Sequence, residues 1–335
     1  MIIKRSAVTC ISACLIVCFA QPGTLRAQAP AMPGQVASGA QQATPDGLRV
    51  TLLGTGVGPP VNLEQFGAST LVEAGDKRLL FDCGRGATIR LTQAGIPTSS
   101  VSRVFLTHLH SDHIVQLPDL LLTAWVGQGG GVQGRAVPLE VWGPDGTRDM
   151  MTALEKAFSF DIHIRRDVDE KFSAEGIRVR SHDIKEGVVL DEDGVRVTAF
   201  LVDHAPIVPA FGYRVDYRGH SVVLSGDTRP SQNLIRHAQG VDVLIHEAYD
   251  AVAARARSAN LTVTESVIAH HTTPEQAGQI FARVKPRLAV YSHAPATQSV
   301  IEQTRQTYSG PLEGAEDLLT IEIGEQIAVH HFGRK

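Results

Sequence analysis

Four side chains able to bind metal ions stand within six residues of one another: His108, His110, Asp112 and His113, in the string Thr107-His108-Leu109-His110-Ser111-Asp112-His113. Neutral imidazole and carboxylate are ligands that zinc prefers. Buried imidazoles and carboxylates need polar partners, so grouping four of them for packing alone is costly. The string follows Val104-Phe105-Leu106, an apolar run that reads as a buried strand. A tight turn after such a strand can aim His108 and His110 at one ion, and Asp112 and His113 at a second beside it. Two zinc ions about 3.5–4 Å apart can hold a hydroxide between them and stabilise both the entering and the leaving oxygen of a displacement. Lewis-acid zinc brings bound water to a pKa of about 7, which makes a nucleophile at neutral pH. The chemistry that such a pair would do is hydrolysis.

Such a string works only if strands and helices hold it. Short β-branched runs bounded by Gly, Pro or Asp predict strands over 49–53, 69–73, 78–81, 101–106 and 139–142 in the first half. In the second half they predict strands over 195–202, 212–217, 221–224, 241–245, 287–291, 318–323 and 326–331. Helical patterns cover 85–94, 116–125, 147–158, 232–238, 274–284 and 299–308. The fifth has Thr273 as N-cap, Pro274 at the first position and Gln276 at the third, a capping-box start. Strand and helix alternate in both halves, and the count suits two sheets flanked by helices. Residues 48–335, about 288 of them, are within the range of one large α/β domain.

The string and its surroundings resemble the metallo-β-lactamase fold superfamily, specifically its RNase Z-like branch, over nearly all of residues 50–331. Leu53-Gly54-Thr55-Gly56 and Leu80-Phe81-Asp82-Cys83-Gly84 are similar to the family's opening strands and turns. Val202-Asp203-His204 with Phe211-Gly212-Tyr213-Arg214, Ser225-Gly226-Asp227-Thr228 and Tyr291-Ser292-His293 resemble the later ligand motifs, and His246-Glu247-Ala248 and His271-Thr272-Thr273 two auxiliary ones. The resemblance implies an αββα four-layer sandwich of two mixed sheets flanked by helices. It implies that His108, His110 and His204 bind one zinc, Asp112, His113 and His293 the other, and Asp227 both. Two zinc ions per chain are expected, manganese or iron being compatible with a His/Asp site. Asp112, His271 and Glu247 are the candidate catalytic residues. His271 would donate a proton to the leaving oxygen or stabilise charge there, with Glu247 accepting its other N–H. His270 is the adjacent competitor. Asp82 is expected to fix the turn beneath the site and Cys83 to lie in the core. His163, His182, His220, His237, His330 and His331 lack such company and are expected at the surface or in the core.

Missing residues narrow the substrate. The commonest zinc β-lactamases use a cysteine ligand downstream of the histidine string, and no cysteine follows Cys83. Flavo-diiron relatives carry Glu where this chain has His110. Transfer-RNA-processing members insert a basic arm between the Gly-Tyr motif and the bridging aspartate, where only residues 214–226 stand here. What remains resembles the exported arylsulfatase-like members, through Gly56-Val57-Gly58-Pro59-Pro60, Leu117-Pro118-Asp119-Leu120 and the run from His271 to Gly278. Sulfate esters of small molecules are therefore expected first, with phosphodiesters other than tRNA, or lactones, as the alternative. A non-catalytic binding module is the remote one, since it would be expected to lose ligands and all seven positions are intact. Trp125, Trp142 and Phe211 are candidate walls of an aryl pocket, and Gly127–Arg135 a candidate loop over it.

Charge and the N-terminus set the context. The chain has 31 Lys+Arg, 35 Asp+Glu, 14 His and 4 Cys in 335 residues, with 43% hydrophobic composition, which excludes a disordered, collagenous or disulfide-scaffold protein. Lys4, Arg5 and a small apolar run to Ala20 form a secretory-signal pattern over residues 1–29, cut after Ala20 or within 25–31. Ile11-Ser12-Ala13-Cys14 resembles a lipobox but follows too little apolar sequence, so a lipoprotein anchor is the weaker option. Residues 30–47, rich in Ala, Gln, Pro and Gly, read as a flexible linker. Cys83 is then the one cysteine left, compatible with an oxidising periplasmic or secreted setting. Without Lys4, Arg5 and Arg26, 28 basic face 35 acidic groups, a net charge of −7. Such a surface disfavours nucleic acid as a partner. No stable membrane insertion is expected after processing, and a homodimer is compatible with the sequence.

Overall fold

A computed structural model of the chain describes residues 47–127 and 131–333. The expected signal peptide, nearly all of the linker and the tip of the 127–135 loop lie outside the described residues. Two mixed sheets carry the fold. The strands of the first half are β1 (Leu48–Gly54), β2 (Ser69–Ala74), β3 (Lys77–Phe81), β4 (Arg103–Phe105), β5 (Leu139–Gly143) and β6 (Val179–Asp183). Then come β7 (Gly187–Glu192), β8 (Val195–Leu201), β9 (Phe211–Tyr217), β10 (His220–Leu224) and β11 (Val243–His246). The last are β12 (Leu288–Tyr291), β13 (Leu312–Glu313), β14 (Thr320–Ile323) and β15 (Ile327–His330). One sheet runs β15-β14-β1-β2-β3-β4-β5-β6, the other β13-β12-β11-β10-β9-β8-β7.

Alternation along the strands builds the layers, because successive side chains leave a strand on opposite faces. Val50, Leu79, Phe81, Val222, Leu224, Val243 and Ile245 point between the sheets into one core. Their neighbours Leu80 and Val104 face the helices Ala87–Gln93, Leu117–Val126 and Thr147–Ala157. On the far side Val223 and Leu244 meet the helices Gln232–His237 and Pro274–Val284. This is the four-layer αββα sandwich. Each fully buried aliphatic or aromatic side chain contributes about 1.5–3 kcal/mol. The capping box is present: Thr273 Oγ1 accepts from Gln276 N and the Gln276 side chain accepts from Thr273 N.

Strand direction decides where the chemistry lies. β3, β4, β5 and β6 are parallel, as are β10, β11, β12 and β13. Two antiparallel steps, β10 to β9 and β9 to β8, return β8 to the direction of β10. The C-terminal ends of β3, β4, β8, β10, β11 and β12 therefore open onto one edge of the sandwich. The inner parallel strands β3, β4, β5, β10, β11 and β12 are buried on both faces along most of their length, which is why they read as unbroken apolar runs. Trp125, Trp142 and Phe211 are core rather than pocket wall. Trp142 stacks on Phe105 with ring centroids 4.8 Å apart, Trp125 donates its indole N–H to Ser173 O, and Phe211 packs between the sheets. Among the described residues no helix is long and apolar enough to cross a membrane.

Candidate metal centre

Every candidate ligand follows one of those strand ends. β4 leads through the turn 106–110 to the short helix Ser111–Ile114, so His108 and His110 leave the turn and Asp112 and His113 the helix. β8 delivers His204, β10 Asp227 and β12 His293. The sheets are fastened to each other at this edge: Phe211 N donates to Thr107 O at 2.9 Å and the buried Tyr213 hydroxyl to Leu106 O at 2.7 Å. Gly226 has φ 59°, and a Cβ there would lie 2.5 Å from Phe211 O and 3.0 Å from Thr107 Cβ. Only glycine lets the Asp227 turn come so close to the turn carrying His108.

The ligands converge as two groups around one carboxylate. Ligand atoms of His108, His110, His204 and Asp227 lie within 4.8 Å of one another, as do those of Asp112, His113 and His293. Asp227 Oδ2 is 3.8 Å from His108 Nε2, 3.9 Å from His204 Nε2 and 3.4 Å from His113 Nε2, while Oδ1 is 3.4 Å from His293 Nδ1. On the other side Asp112 Oδ2 stands 3.2 Å from His293 Nε2 and 3.6 Å from His113 Nε2.

The outward-facing nitrogens are held by the protein, which sets the tautomers. His113 Nδ1 pairs with Asp82 Oδ2 at 2.7 Å, His204 Nδ1 donates to His270 O at 2.9 Å, and His108 Nδ1 lies 3.0 Å from Thr107 Oγ1. The inward atoms His108 Nε2, His113 Nε2, His204 Nε2, Asp227 Oδ1 and His293 Nδ1 are buried and have no hydrogen-bond partner among the described residues. Leaving so many buried polar atoms unpaired would cost about 1–3 kcal/mol each. A cation held among them removes that cost, so the donor set fits a metal centre. Burial pushes His108, His110 and His204 below the ordinary imidazole range, leaving neutral rings with lone pairs to give. Burial also opposes protonation of His113, yet Asp227 and Asp82 flank it and push it well above that range, a place where a cation can replace the proton. Burial disfavours the Asp112 carboxylate, but the His293 hydrogen bond and the nearby His113 hold it down at about 2.

Beside the ligands lies a proton-carrying pair. Glu247 Oε1 accepts from His271 Nδ1 at 3.0 Å, from Thr228 N at 2.9 Å and from Thr272 N at 3.3 Å. It thus ties the residue after Asp227 to the His271 turn. Burial lowers His271, but the Glu247 charge and hydrogen bond override it and raise the imidazole to about 9. Among the described residues no carboxylate pairs with the His270 ring, and burial with the neighbouring His271 and His204 takes it down to about 4. The geometry thus distinguishes the two adjacent histidines. Asp82 does more than brace a turn: held at φ 56°, it also accepts from Thr107 N at 2.8 Å and Thr107 Oγ1 at 2.9 Å. His293 too is left-handed, φ 51°. Backbone held in such a sparsely populated region is typical of functional sites.

Sequence reasoning missed Tyr249, whose ring stacks on His271 with centroids 5.4 Å apart, and the Tyr213 hydroxyl. Both stand in or beside quoted motifs, but a tyrosine there reads as core until its ring or hydroxyl contact is seen. Cys83 is buried, its thiol pushed up by desolvation, and takes no part. His163, His182, His220, His237, His330 and His331 sit away from the ligands, as His163 with Asp167, His182 stacked on Trp142 and His237 on Phe200 illustrate, whereas His246 is buried beside Glu247.

Fold and site together define a metallo-hydrolase of the four-layer class. The model of the β-lactamase superfamily domain matches residues 77–294, and the chain belongs to that superfamily, in its RNase Z-like branch. A Ribonuclease Z of Mycobacterium sp. (strain KMS) is 36% identical over 294 residues, 85% of this chain and 100% of the relative. Among solved structures, the metallo-β-lactamase fold protein YhfI from Bacillus subtilis aligns with TM-score 0.64 and 20% identity, over 83% of this chain and 100% of its own. The short form of human tRNase Z aligns with TM-score 0.62 and 22% identity, over 82% of this chain and 99% of its own. The chain is a metal-dependent hydrolase of this fold.

Proposed function

We propose that the protein is a dinuclear zinc phosphodiesterase acting on small phosphodiesters. In this reading His108, His110 and His204 hold one ion, Asp112, His113 and His293 the other, and Asp227 both. The observation that carries it is Asp227, whose two carboxylate oxygens face the two groups of ligands at 3.4–3.9 Å. A zinc pair so held supplies Lewis acidity, a water-derived nucleophile at neutral pH and neutralisation of charge on the ester oxygens. His271, kept protonated and oriented by Glu247, gives a proton to the leaving oxygen. Asp82, through His113, and the His270 carbonyl, through His204, keep ligand rings aimed inward.

The relatives weigh toward phosphodiesters and against the order expected from the flanking motifs, which placed sulfate esters first. A ribonuclease match that spans the whole of the relative supports phosphodiester chemistry more strongly than short stretches such as Gly56–Pro60 support sulfate. It also bears on the expectation that nucleic acid is no partner. That expectation rests on the net charge of −7 without the N-terminal segment (−4 for the whole chain) and on the hairpin of β9 and β10, closed by Arg218 and Gly219, where an RNA-clamping arm would be inserted. Small phosphodiesters satisfy both considerations.

Steady-state rates of the zinc-loaded protein on bis(p-nitrophenyl) phosphate and on p-nitrophenyl sulfate separate the ester classes. The expected result is a faster phosphodiester rate that falls by about 1,000-fold or more in Asp227→Ala. A faster sulfate rate, lost in the same variant, would return the sulfate reading to first place. Activity that survives Asp227→Ala would overturn the paired-metal mechanism.

A further inference from the structure

Arg85 sits at the same edge as the metal ligands, two residues past the buried Cys83, and its side chain is exposed. Among the described residues its guanidinium has no carboxylate, carbonyl or ring partner. Several other arginines near the sheets are paired with carboxylates: Arg49 with Glu322, Arg78 with Glu73, Arg90 with Asp317, Arg103 with Glu192 and Arg229 with Asp203. What sets Arg85 apart is its place: this exposed guanidinium, free of local carboxylates, lines a hollow shared with the Asp112 ligand.

Its backbone is fixed, so the freedom belongs to the side chain alone. Gly84 N donates to Ala68 O and Gly67 N to Arg85 O, each at 3.0 Å, and Gly86 N donates to Gln116 Oε1 at 2.8 Å. A Cβ on Gly84 would lie 2.4 Å from Asp112 O and 2.5 Å from Gly67 C. This glycine contact places the Arg85 peptide directly against the residue that carries the Asp112 ligand. Arg85, Asp112 and the turn from Gly56 to Pro60 line one hollow. Gly58 N, in that turn, lies 3.4 Å from His293 Nε2. The hollow therefore opens beside the Asp112 and His293 half of the centre. Beyond the turn lies a wider hollow, about 830 Å³, whose wall carries the carboxylates Glu64, Glu313 and Glu316 against the single guanidinium of Arg257, with Asp317 paired to Arg90. A long polyanion would meet those carboxylates.

We infer that Arg85 is the anion-recognition residue of this site: its guanidinium binds the tetrahedral oxyanion of the substrate ester on the Asp112 side of the centre, and the acidic hollow behind it restricts the substrate to small esters. The planar fork matches two oxygens of a phosphate or a sulfate, which a lysine ammonium does not. The inference rests on the proposed phosphodiesterase reading for its substrate.

Two readouts on the zinc-loaded protein test it: KM and kcat on bis(p-nitrophenyl) phosphate, and calorimetric affinity for inorganic phosphate. In Arg85→Ala the KM is expected to rise about 10-fold or more and phosphate affinity to fall by a similar factor, as for loss of a charge-assisted hydrogen bond. The kcat is expected to stay within about 3-fold and zinc content to be unchanged, with Arg85→Lys between wild type and Ala. The KM for a neutral lactone, if it is turned over, is expected not to move. An equal loss on p-nitrophenyl sulfate identifies a reader of any tetrahedral oxyanion, and a loss confined to phosphate a selective one; both support the assignment. Unchanged KM and unchanged phosphate affinity in Arg85→Ala overturn it, and so does an equal KM rise on the neutral lactone. If the wild type cleaves no phosphodiester, the functional reading fails, while the phosphate affinities of wild type, Arg85→Ala and the stem-preserving Arg85→Met still decide the role of Arg85.

Discussion

A buried imidazole beside a buried carboxylate holds its proton to higher pH than a free one, and His271 with Glu247 is such a pair. Desolvation opposes the charge on His271, but Glu247 reverses the balance and brings it to about 9. Since the raised group is protonated below that value, a step that draws on its proton runs at full rate below about pH 9 and slows as pH rises through it. In Glu247→Gln the Glu247 charge is lost and only the Asp227 charge still opposes desolvation and His113, so the falling limb should move to lower pH. His271→Ala should lower kcat about 100- to 10,000-fold with zinc content intact. A kcat–pH profile on an aryl phosphodiester checks both, and a falling limb that stays in place in Glu247→Gln contradicts the pairing. At this scale much was legible. The string from His108 to His113 announces its chemistry, because imidazole and carboxylate are rarely packed together without a use. The choice of His271 over His270 came from the pattern of the following threonines, and Glu247 Oε1 is its physical basis. Arg85 was not legible as a site residue, because an isolated arginine after Gly84 looks like any surface cation until the Gly84–Asp112 contact is seen.

Turns do the positioning, and the Asp82 turn shows how. One carboxylate at the end of β3 receives the Thr107 N–H and hydroxyl and the His113 ring, so it joins the strand beside β4 to both halves of the histidine string. Removing it leaves the buried Thr107 N–H unpaired, at about 1–3 kcal/mol, and frees the His113 ring. Asp82→Ala should therefore weaken zinc binding about 10- to 100-fold in a chelator competition, and Asp82→Asn should recover part of the loss. Wild-type zinc affinity in the Ala variant would show that the turn does not orient His113. The long apolar strands were readable to within a residue or two, as in β1 or β10, because burial on both faces demands continuous Val, Ile and Leu. β6 was not, since Val179-Arg180-Ser181-His182-Asp183 is a half-exposed edge with little apolar pattern. The helices Ala251–Arg257 and Leu261–Ile268 escaped for a related reason: only Ala251 of the two is buried, so they carry no apolar stripe to read.

At the scale of the molecule, two sheets that each present parallel C-terminal ends to one edge bring together residues as distant in sequence as Asp112 and His293. The layer architecture was legible from strand and helix counts plus the resemblance carried by the ligand motifs. Substrate was less so, because sulfate and phosphate esters ask the same of a metal pair and differ only in what surrounds it. Export is proposed on the leader pattern of residues 1–29 alone, and a mature chain that still begins at Met1 would overturn it. The central claim is that two metal ions act as one centre around Asp227. Titrating zinc into the metal-free protein while following bis(p-nitrophenyl) phosphate hydrolysis tests it most directly. The account predicts no activity without zinc and a rate that reaches its plateau at two zinc ions per chain. A plateau at one ion, or turnover that persists with none, would contradict it.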